Sequence, residues 1–237
     1  MITEIIGVIG LGNAGGPVAG ALARKTKVVG FDPDPERCLR AGDLGVDCVS
    51  STEELAEKTD HIILSLPKPE ISIAVTKTLC DSASRPKLLI ETSTVTPQTA
   101  ITCNDLCKQN DIAYVDAAIA GGVASMAAGE ITFFLGGADE NKKLASNILN
   151  LIAAGIHDLG PVGAGMGTKV VNNGVMHALM VVLIEAFSMS NKLGVSSQTM
   201  IEILNREEGL LRPLVHRVQE RMQEGNYEGG MSVTNAR

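Results

Sequence analysis

The run IIGVIGLGNAGG, residues 5 to 16, restricts the possible folds more than any other part of the 237-residue chain. A short apolar run gives way to G-x-G-x-x-G, formed by Gly10, Gly12 and Gly15, and a helical pattern follows. A buried strand that turns sharply into a helix needs glycine for the tight turn, for a ligand's approach to the backbone, and for close helix–strand packing. The exposed N–H groups and the positive end of such a helix form a ready site for phosphate. By itself the spacing also fits a bare tight turn. Asp32 separates the two possibilities. It closes the next apolar run, KVVGF (27–31), about twenty residues after Gly12, where a carboxylate hydrogen-bonds the adenosine ribose of a dinucleotide. The cofactor-binding residues expected here are Gly10, Leu11, Gly12, Asn13, Ala14, Gly15 and Asp32. NAD is expected ahead of NADP, because the carboxylate repels a 2′-phosphate and no arginine follows immediately to receive one.

Further apolar runs, HIILSL (61–66), KLLIE (87–91) and IAYVDAAI (112–119), alternate with helical segments, the pattern of a parallel sheet wrapped by crossover helices. Helix starts are marked by Asp34 before Pro35, by Ser51 with Glu54 as a capping box, and by Thr96 before Pro97. ITFFLGG (131–137) follows the 112–119 run after only a loop of small residues, so the sheet is expected to become mixed there. Beyond Gly160 no strand-like run remains. A long helix is expected from near Gly165 to about Leu193, with others from about Ser197 and Leu211. The expected fold is α/β: a Rossmann-type doubly wound sheet over residues 1–162, then an all-α domain over 163–237, with the boundary in LGPVGAG (159–165).

The net charge is −7 and lysines and arginines form no cluster, which argues against a nucleic-acid surface and gives no basic membrane signal. VMHALMVVLIEAF (175–187) is interrupted by His177 and Glu185 and is shorter than the ~20 apolar residues of a membrane span, so a buried helix is expected. The five cysteines lack disulfide-framework or zinc spacing. No targeting pattern precedes the first strand, so a cytoplasmic protein without a metal centre is expected.

A second glycine-rich stretch, GAGMGTKVVNNG (163–174), is not a phosphate loop: Thr168 precedes the lysine, and no strand–helix crossover unit follows. It opens the long helix, on which Lys169 and Asn173 share a face. The residues after Lys169 are largely apolar. Partial burial would lower the lysine pKa toward the range a general acid or base needs, whereas a lysine that snorkels or pairs with a carboxylate would be structural.

The chain resembles the β-hydroxyacid dehydrogenases along essentially its whole length. GVIGLGNAGGPVAGALA (7–23) is similar to that family's cofactor loop, and ETSTVTP (91–97) to its S-T-x-x-P segment. DAAIAGGVASMAAGEITFFLGG (116–137) resembles its D-A-P-x-S-G-G stretch, and GAGMGTKVVNN its G-x-G-x-x-x-K-x-x-N-N segment. The resemblance implies an NAD(P)-dependent oxidoreductase that moves hydride between a nicotinamide and a small 3-hydroxyacid or its semialdehyde. Lys169 would be the general acid/base, and Asn173 would orient the substrate and the lysine. Leu66, Pro67 and Thr94, with Ser93, would lie along the cofactor, and Ala120, Gly121, Gly122, Asn173 and His177 around the substrate. A homodimer or higher homo-oligomer is expected.

Two departures stand out. Ala120 replaces the serine of S-G-G, removing a hydrogen bond to a charged group worth roughly 1.5–3 kcal/mol. The chain also stops short of the family's K-D-L segment, so part of the helical domain is expected to be absent. The alternatives are an imine reductase-like enzyme or a catalytically weakened dinucleotide-binding module. Oxidative decarboxylation in the manner of 6-phosphogluconate dehydrogenase is disfavoured, since Met176 occupies the place of the required acid.

Overall fold

Strands buried on both faces need side chains that are apolar throughout, and the runs around Ile6, Val28, His61 and Leu88 meet that need. The computed structural model describes residues 5–205 and residue 225. The strands are β1 (Ile6–Ile9), β2 (Val28–Phe31), β3 (Asp47–Cys48), β4 (His61–Leu64), β5 (Leu88–Glu91), β6 (Ala113–Ala120), β7 (Ile131–Gly137) and β8 (Ala153–Asp158). The helices are α1 (Gly15–Ala23), α2 (Pro35–Gly42), α3 (Thr52–Lys58), α4 (Pro69–Asp81), α5 (Pro97–Lys108), α6 (Val123–Ala128), α7 (Asp139–Leu149), α8 (Ala164–Lys192) and α9 (Ser197–Leu204).

The sheet runs β3-β2-β1-β4-β5-β6-β7-β8. The order reverses between β1 and β4, and in open α/β sheets ligands bind at the carboxyl ends of the strands beside such a switch. All pairs are parallel except β6 with β7, so the sheet is mixed where the sequence suggested. One face is covered by α1, α6 and α7 through Val18, Leu22, Met126 and Leu149. The other is covered by α3, α4 and α5 through Leu55, Leu79 and Cys103, together with Met166 from the first turn of α8.

The expected caps are present. Asp34 accepts the Glu36 N–H at 3.0 Å, and Thr96 accepts that of Thr99 at 3.1 Å. Ser51 accepts from Glu54 at 3.1 Å, but Glu54 reaches back to the N–H and hydroxyl of Ser50, one residue earlier than a standard box.

Three features differ from the sequence reading. The small-residue loop after β6 contains helix α6, bracketed by Gly122 and by Gly129 in the left-handed region at φ 74°; six residues are too few to show a periodicity. Strands β3 and β8 were not apparent, because one has two exposed residues and the other, at the sheet edge, is a half-exposed run of small residues with Ile156 its one large apolar side chain. The stretch 175–187 is helical, as expected, but not buried: Val175, Met180, Val182 and Ile184 are all exposed. It belongs to a 29-residue helix, α8, whose apolar window, at mean hydropathy 1.6, meets the length and composition of a membrane span. Against that reading, the first turn of α8 is anchored in the sheet domain and Lys169, Asn172, Asn173, His177 and Glu185 interrupt its apolar course. The chain divides into compact units over Met1–Gly174 and Val175–Arg237. The expected helix from Leu211 lies outside the described residues.

Candidate active site

At the end of β1 the backbone makes its tight turn at Gly10, with φ 91°, where any Cβ would collide with the Ser65 carbonyl; a Cβ on Gly15 would strike the Gly10 carbonyl. Gly12 is different. The nearest atom to a Cβ there is Arg37 Nη1 at 3.6 Å, so its face is open toward a cavity of about 460 Å³. Of the residues expected along the cofactor, Gly10, Gly12, Asn13, Ala14, Asp32, Leu66 and Pro67 line that cavity, together with Phe31, Arg37, Thr52 and Ser65. No side chain caps the first turn of α1 at Ala14, and no acidic residue occupies it. This uncapped helix start beside an open glycine face is a cradle that fits a dinucleotide pyrophosphate. Leu11 is buried and uses its N–H internally, donating it to Asp32 Oδ2 at 2.8 Å.

A second cavity of about 330 Å³ shares Ala14, Ser65, Leu66 and Pro67 with the first and adds Thr92, Ser93, Thr94, Ile119, Gly121, Met126 and Lys169. Expected substrate, cofactor and catalytic residues are therefore brought together: Gly121, Thr94 and Lys169 surround one space next to the glycine cradle. Ser93 fastens its wall, accepting the Leu66 N–H on Oγ and donating its own N–H to Glu91 Oε1 at 2.9 Å. Ala120, half-buried at the end of β6, Gly122, at the start of α6, and Asn173, one turn beyond Lys169, are not in this lining. His177 is exposed and falls in the second compact unit.

The second glycine stretch owes its composition to docking. Gly163 takes φ 93°, and a Cβ on Gly165 would run into the Phe134 carbonyl and stand 2.9 Å from Asp116 Oδ2. On the sheet side a Cβ on Gly136 would stand 2.7 Å from the Pro161 carbonyl. The first turn of α8 thus lies directly against β6 and β7. Asp116, fully buried, receives it: Oδ1 accepts the Gly163 N–H at 2.8 Å and Oδ2 that of Met166 at 2.9 Å. A carboxylate among a helix's first N–H groups satisfies donors that would otherwise be orphaned. Lys169 follows less than one turn after Met166.

Burial depresses the Lys169 ammonium below its ordinary range, and no carboxylate pairs with it among the described residues. Glu91 lies wholly inside the protein. Burial raises its carboxyl to about 7, against the opposing pull of the hydrogen bonds with Ser93, and Oε2 has no partner among the described residues. Burial likewise raises Asp116, opposed by its backbone N–H donors.

Arg37 was missed by sequence. The residues next to Asp32 include no arginine, whereas Arg37 sits about one helical turn past the Asp34 cap and returns to the end of β2. The i, i+3 spacing from Asp34 was the available signal. No cluster of metal-ligating side chains occurs among the described residues.

A doubly wound sheet with a dinucleotide cradle at its switch point and a half-buried lysine in the adjoining cavity defines a nicotinamide-dependent oxidoreductase. Residues 5–171 match the family model of the NAD binding domain of 6-phosphogluconate dehydrogenase, and residues 163–236 match that of the NAD-binding of NADP-dependent 3-hydroxyisobutyrate dehydrogenase. The mitochondrial 3-hydroxyisobutyrate dehydrogenase of Homo sapiens is 28% identical over 97% of this chain and 71% of its own length. The solved Mycobacterium tuberculosis 3-hydroxyisobutyrate dehydrogenase with L-serine superposes with a TM-score of 0.80 at 31% identity, covering 88% of this chain and 72% of that one. An imine reductase from Pseudomonas sp. shares the fold, with a TM-score of 0.85 at 18% identity over 96% of this chain and 80% of its own. The chain belongs to the β-hydroxyacid dehydrogenase family, and its cofactor is NAD(P).

Proposed function

We propose that the protein interconverts a small 3-hydroxyacid and its semialdehyde, using NAD in preference to NADP, with Lys169 as the general acid/base. The observation that carries this reading is the position of Lys169: without a carboxylate partner among the described residues, lowered in pKa by burial, and in one cavity with Gly121, Ser93 and Thr94 beside the glycine cradle. The nicotinamide, when bound, supplies or takes the hydride. In the reductive direction Lys169 Nζ gives a proton to the carbonyl oxygen; in the oxidative direction it takes the proton of the hydroxyl. The Gly10–Gly15 turn and the start of α1 hold the pyrophosphate, and the Asp32 carboxylate meets the ribose. Backbone N–H groups at Gly121 and Gly122 face the substrate carboxylate without the hydroxyl that Ala120 lacks, and Asn173 orients the substrate and Lys169.

The same reading makes the protein an oligomer, most simply a homodimer. Val170, Val171, Val181 and Met189 of α8 are exposed, an apolar surface that normally marks an interaction site. It also assigns the protein to the cytoplasm, a reducing compartment in keeping with five free thiols.

The test is NADH consumption with small semialdehyde acids and with cyclic imines, run beside Lys169→Ala. Turnover of the acids that collapses in the variant supports the reading. Turnover confined to imines transfers it to the imine reductase alternative, which Ala120 favours by removing a carboxylate donor. Tight NADH binding without any turnover overturns the enzymatic reading.

A further inference from the structure

Glu91, the last residue of β5, is fully buried, and the chemistry assigned to Lys169 gives it no part. Its Oε1 accepts the Ser93 N–H at 2.9 Å, and Ser93 Oγ in turn accepts the Leu66 N–H at 2.6 Å. The exits of β4 and β5 are thereby tied together in the wall of the cavity that holds Lys169. The Ser93 hydroxyl also faces the Glu91 carboxyl and favours its ionised form. The second carboxyl oxygen, Oε2, has no partner among the described residues, and neither has Ser72 Oγ, which faces Glu91 from α4. Asp116, its neighbour across the β5–β6 pairing, is equally buried and is committed to the Gly163 and Met166 N–H groups. Tyr114 on β6 and Cys103 and Cys107 on α5 face Glu91 as well, and no cation pairs with it among the described residues.

We propose that Glu91 is a positioning residue for Ser93: its carboxylate draws the Ser93 hydroxyl proton inward, and its neutral acid leaves that proton to be donated into the cavity. The inference rests on the reading that this cavity takes the nicotinamide end of the cofactor. Ser93 Oγ already accepts from Leu66, so its single hydrogen goes either to Glu91 or to an acceptor in the cavity, such as the carboxamide oxygen of a nicotinamide. An ionised carboxylate is the stronger acceptor and takes it. A protonated Glu91 can instead give its own hydrogen from Oε2 to Ser72 Oγ while Oε1 keeps the Ser93 N–H. Two buried carboxyls side by side do not both ionise without cost, and Asp116 has the backbone donors, so Glu91 is the one that keeps a proton. Burial lifts the Glu91 carboxyl to about 7. Donation into the cavity is therefore complete well below that pH and withdrawn as pH rises through it.

The experiment is equilibrium titration of NADH, followed by nicotinamide fluorescence, with the full chain and no substrate, at intervals from about pH 6 to about pH 9 around the Glu91 value. The variants are Glu91→Gln, Ser93→Ala and Lys169→Met. Affinity of the unmodified protein is expected to fall about tenfold as pH rises through neutrality, the scale of one hydrogen bond. Glu91→Gln keeps an acceptor for the Ser93 N–H and a donor toward Ser72, so its affinity should stay at the low-pH level throughout. Ser93→Ala has no hydroxyl to offer and should stay at the weaker, high-pH level, a result that decides the matter even if Glu91→Gln does not fold. Lys169→Met should retain the step, which separates it from titration of the lysine. A merely structural Glu91 would instead give a glutamine variant weakened equally at every pH. That result, a flat profile in the unmodified protein, a step that survives in Glu91→Gln or Ser93→Ala, or one that vanishes in Lys169→Met overturns the proposal while leaving the dinucleotide site intact. Failure of the unmodified protein to bind NADH at any pH overturns the cofactor reading, and this inference with it.

Discussion

Asp116 accepts the N–H of Met166 at 2.9 Å, and through that bond a central strand holds the first turn of the helix that carries Lys169. Lys169 has no carboxylate partner of its own among the described residues, so its placement depends on this anchorage and on the burial of Met166. Asp116→Ala leaves the Gly163 and Met166 N–H groups buried without acceptors, at about 1–3 kcal/mol each. Chemical denaturation should show a loss of that order, and turnover should fall further than NADH affinity. Asp116→Asn keeps one acceptor and should lose less. Equal loss of turnover and NADH affinity in the folded variants would contradict this role.

Glycines within one helix should respond with opposite sign. Gly165→Ala forces a methyl into the Phe134 carbonyl and should destabilise the protein and lower turnover. Gly174→Ala meets nothing within 4 Å and should stabilise by about 0.5–1 kcal/mol, the usual gain for replacing glycine in a helix. Thermal or urea unfolding of the two variants checks the contrast.

Gly12→Ala separates binding from folding. Its methyl projects into open space near Arg37, so stability should be nearly unchanged while NADH affinity falls at least about tenfold, since the methyl occupies the approach of the pyrophosphate. Unaltered affinity in fluorescence titration would show that phosphate does not lie against Gly12.

Glu91 gives a pH dependence with a definite sign. Its carboxyl stands at about 7 in the folded chain against an ordinary value of 4.5, so the folded form binds the proton more tightly. The stability that follows is fully present below pH 4.5 and is lost as pH rises through about 7, a fall on the order of 3 kcal/mol. Glu91→Gln keeps an acceptor for the Ser93 N–H and should remove most of this fall. The measurement is unfolding free energy from pH 5 to 8 for both proteins. Parallel curves would reject the assignment.

Lys169→Met should lower turnover by about 10²–10⁴, the range of general acid–base catalysis, with NADH affinity preserved. Because burial depresses the lysine, the alkaline limb of the wild-type pH–rate profile should lie below the ordinary lysine value of 10.5. The limb should vanish from the residual activity of the variant.

The cofactor half of the cleft was legible because its constraints are local: a turn, an uncapped helix start and a carboxylate at a strand end are each written in a few adjacent residues. Lys169 was legible from the resemblance and from a charge set in an apolar helix. Arg37 was not, since its effect comes from a side chain returning one turn to a strand end. Glu91 looked like an ordinary strand terminus, and its raised pKa depends on neighbours from other elements, Asp116 among them. Exposure of the 175–187 stretch could not be read from periodicity, which reports which residues are apolar and not whether anything covers them.

Strand β6 has two halves with different partners. Residues 113–116 pair in parallel with β5, and beyond them Ala117 to Ala120 pair only with the antiparallel β7. The outer half extends past the end of β5, with β7 along its other side, and leads to Ala120 and Gly121, while the cofactor cradle is built on β1, β2 and β4. A substitution at Ala120 therefore alters that end of the strand while leaving the Gly10–Gly15 turn and Asp32 in place.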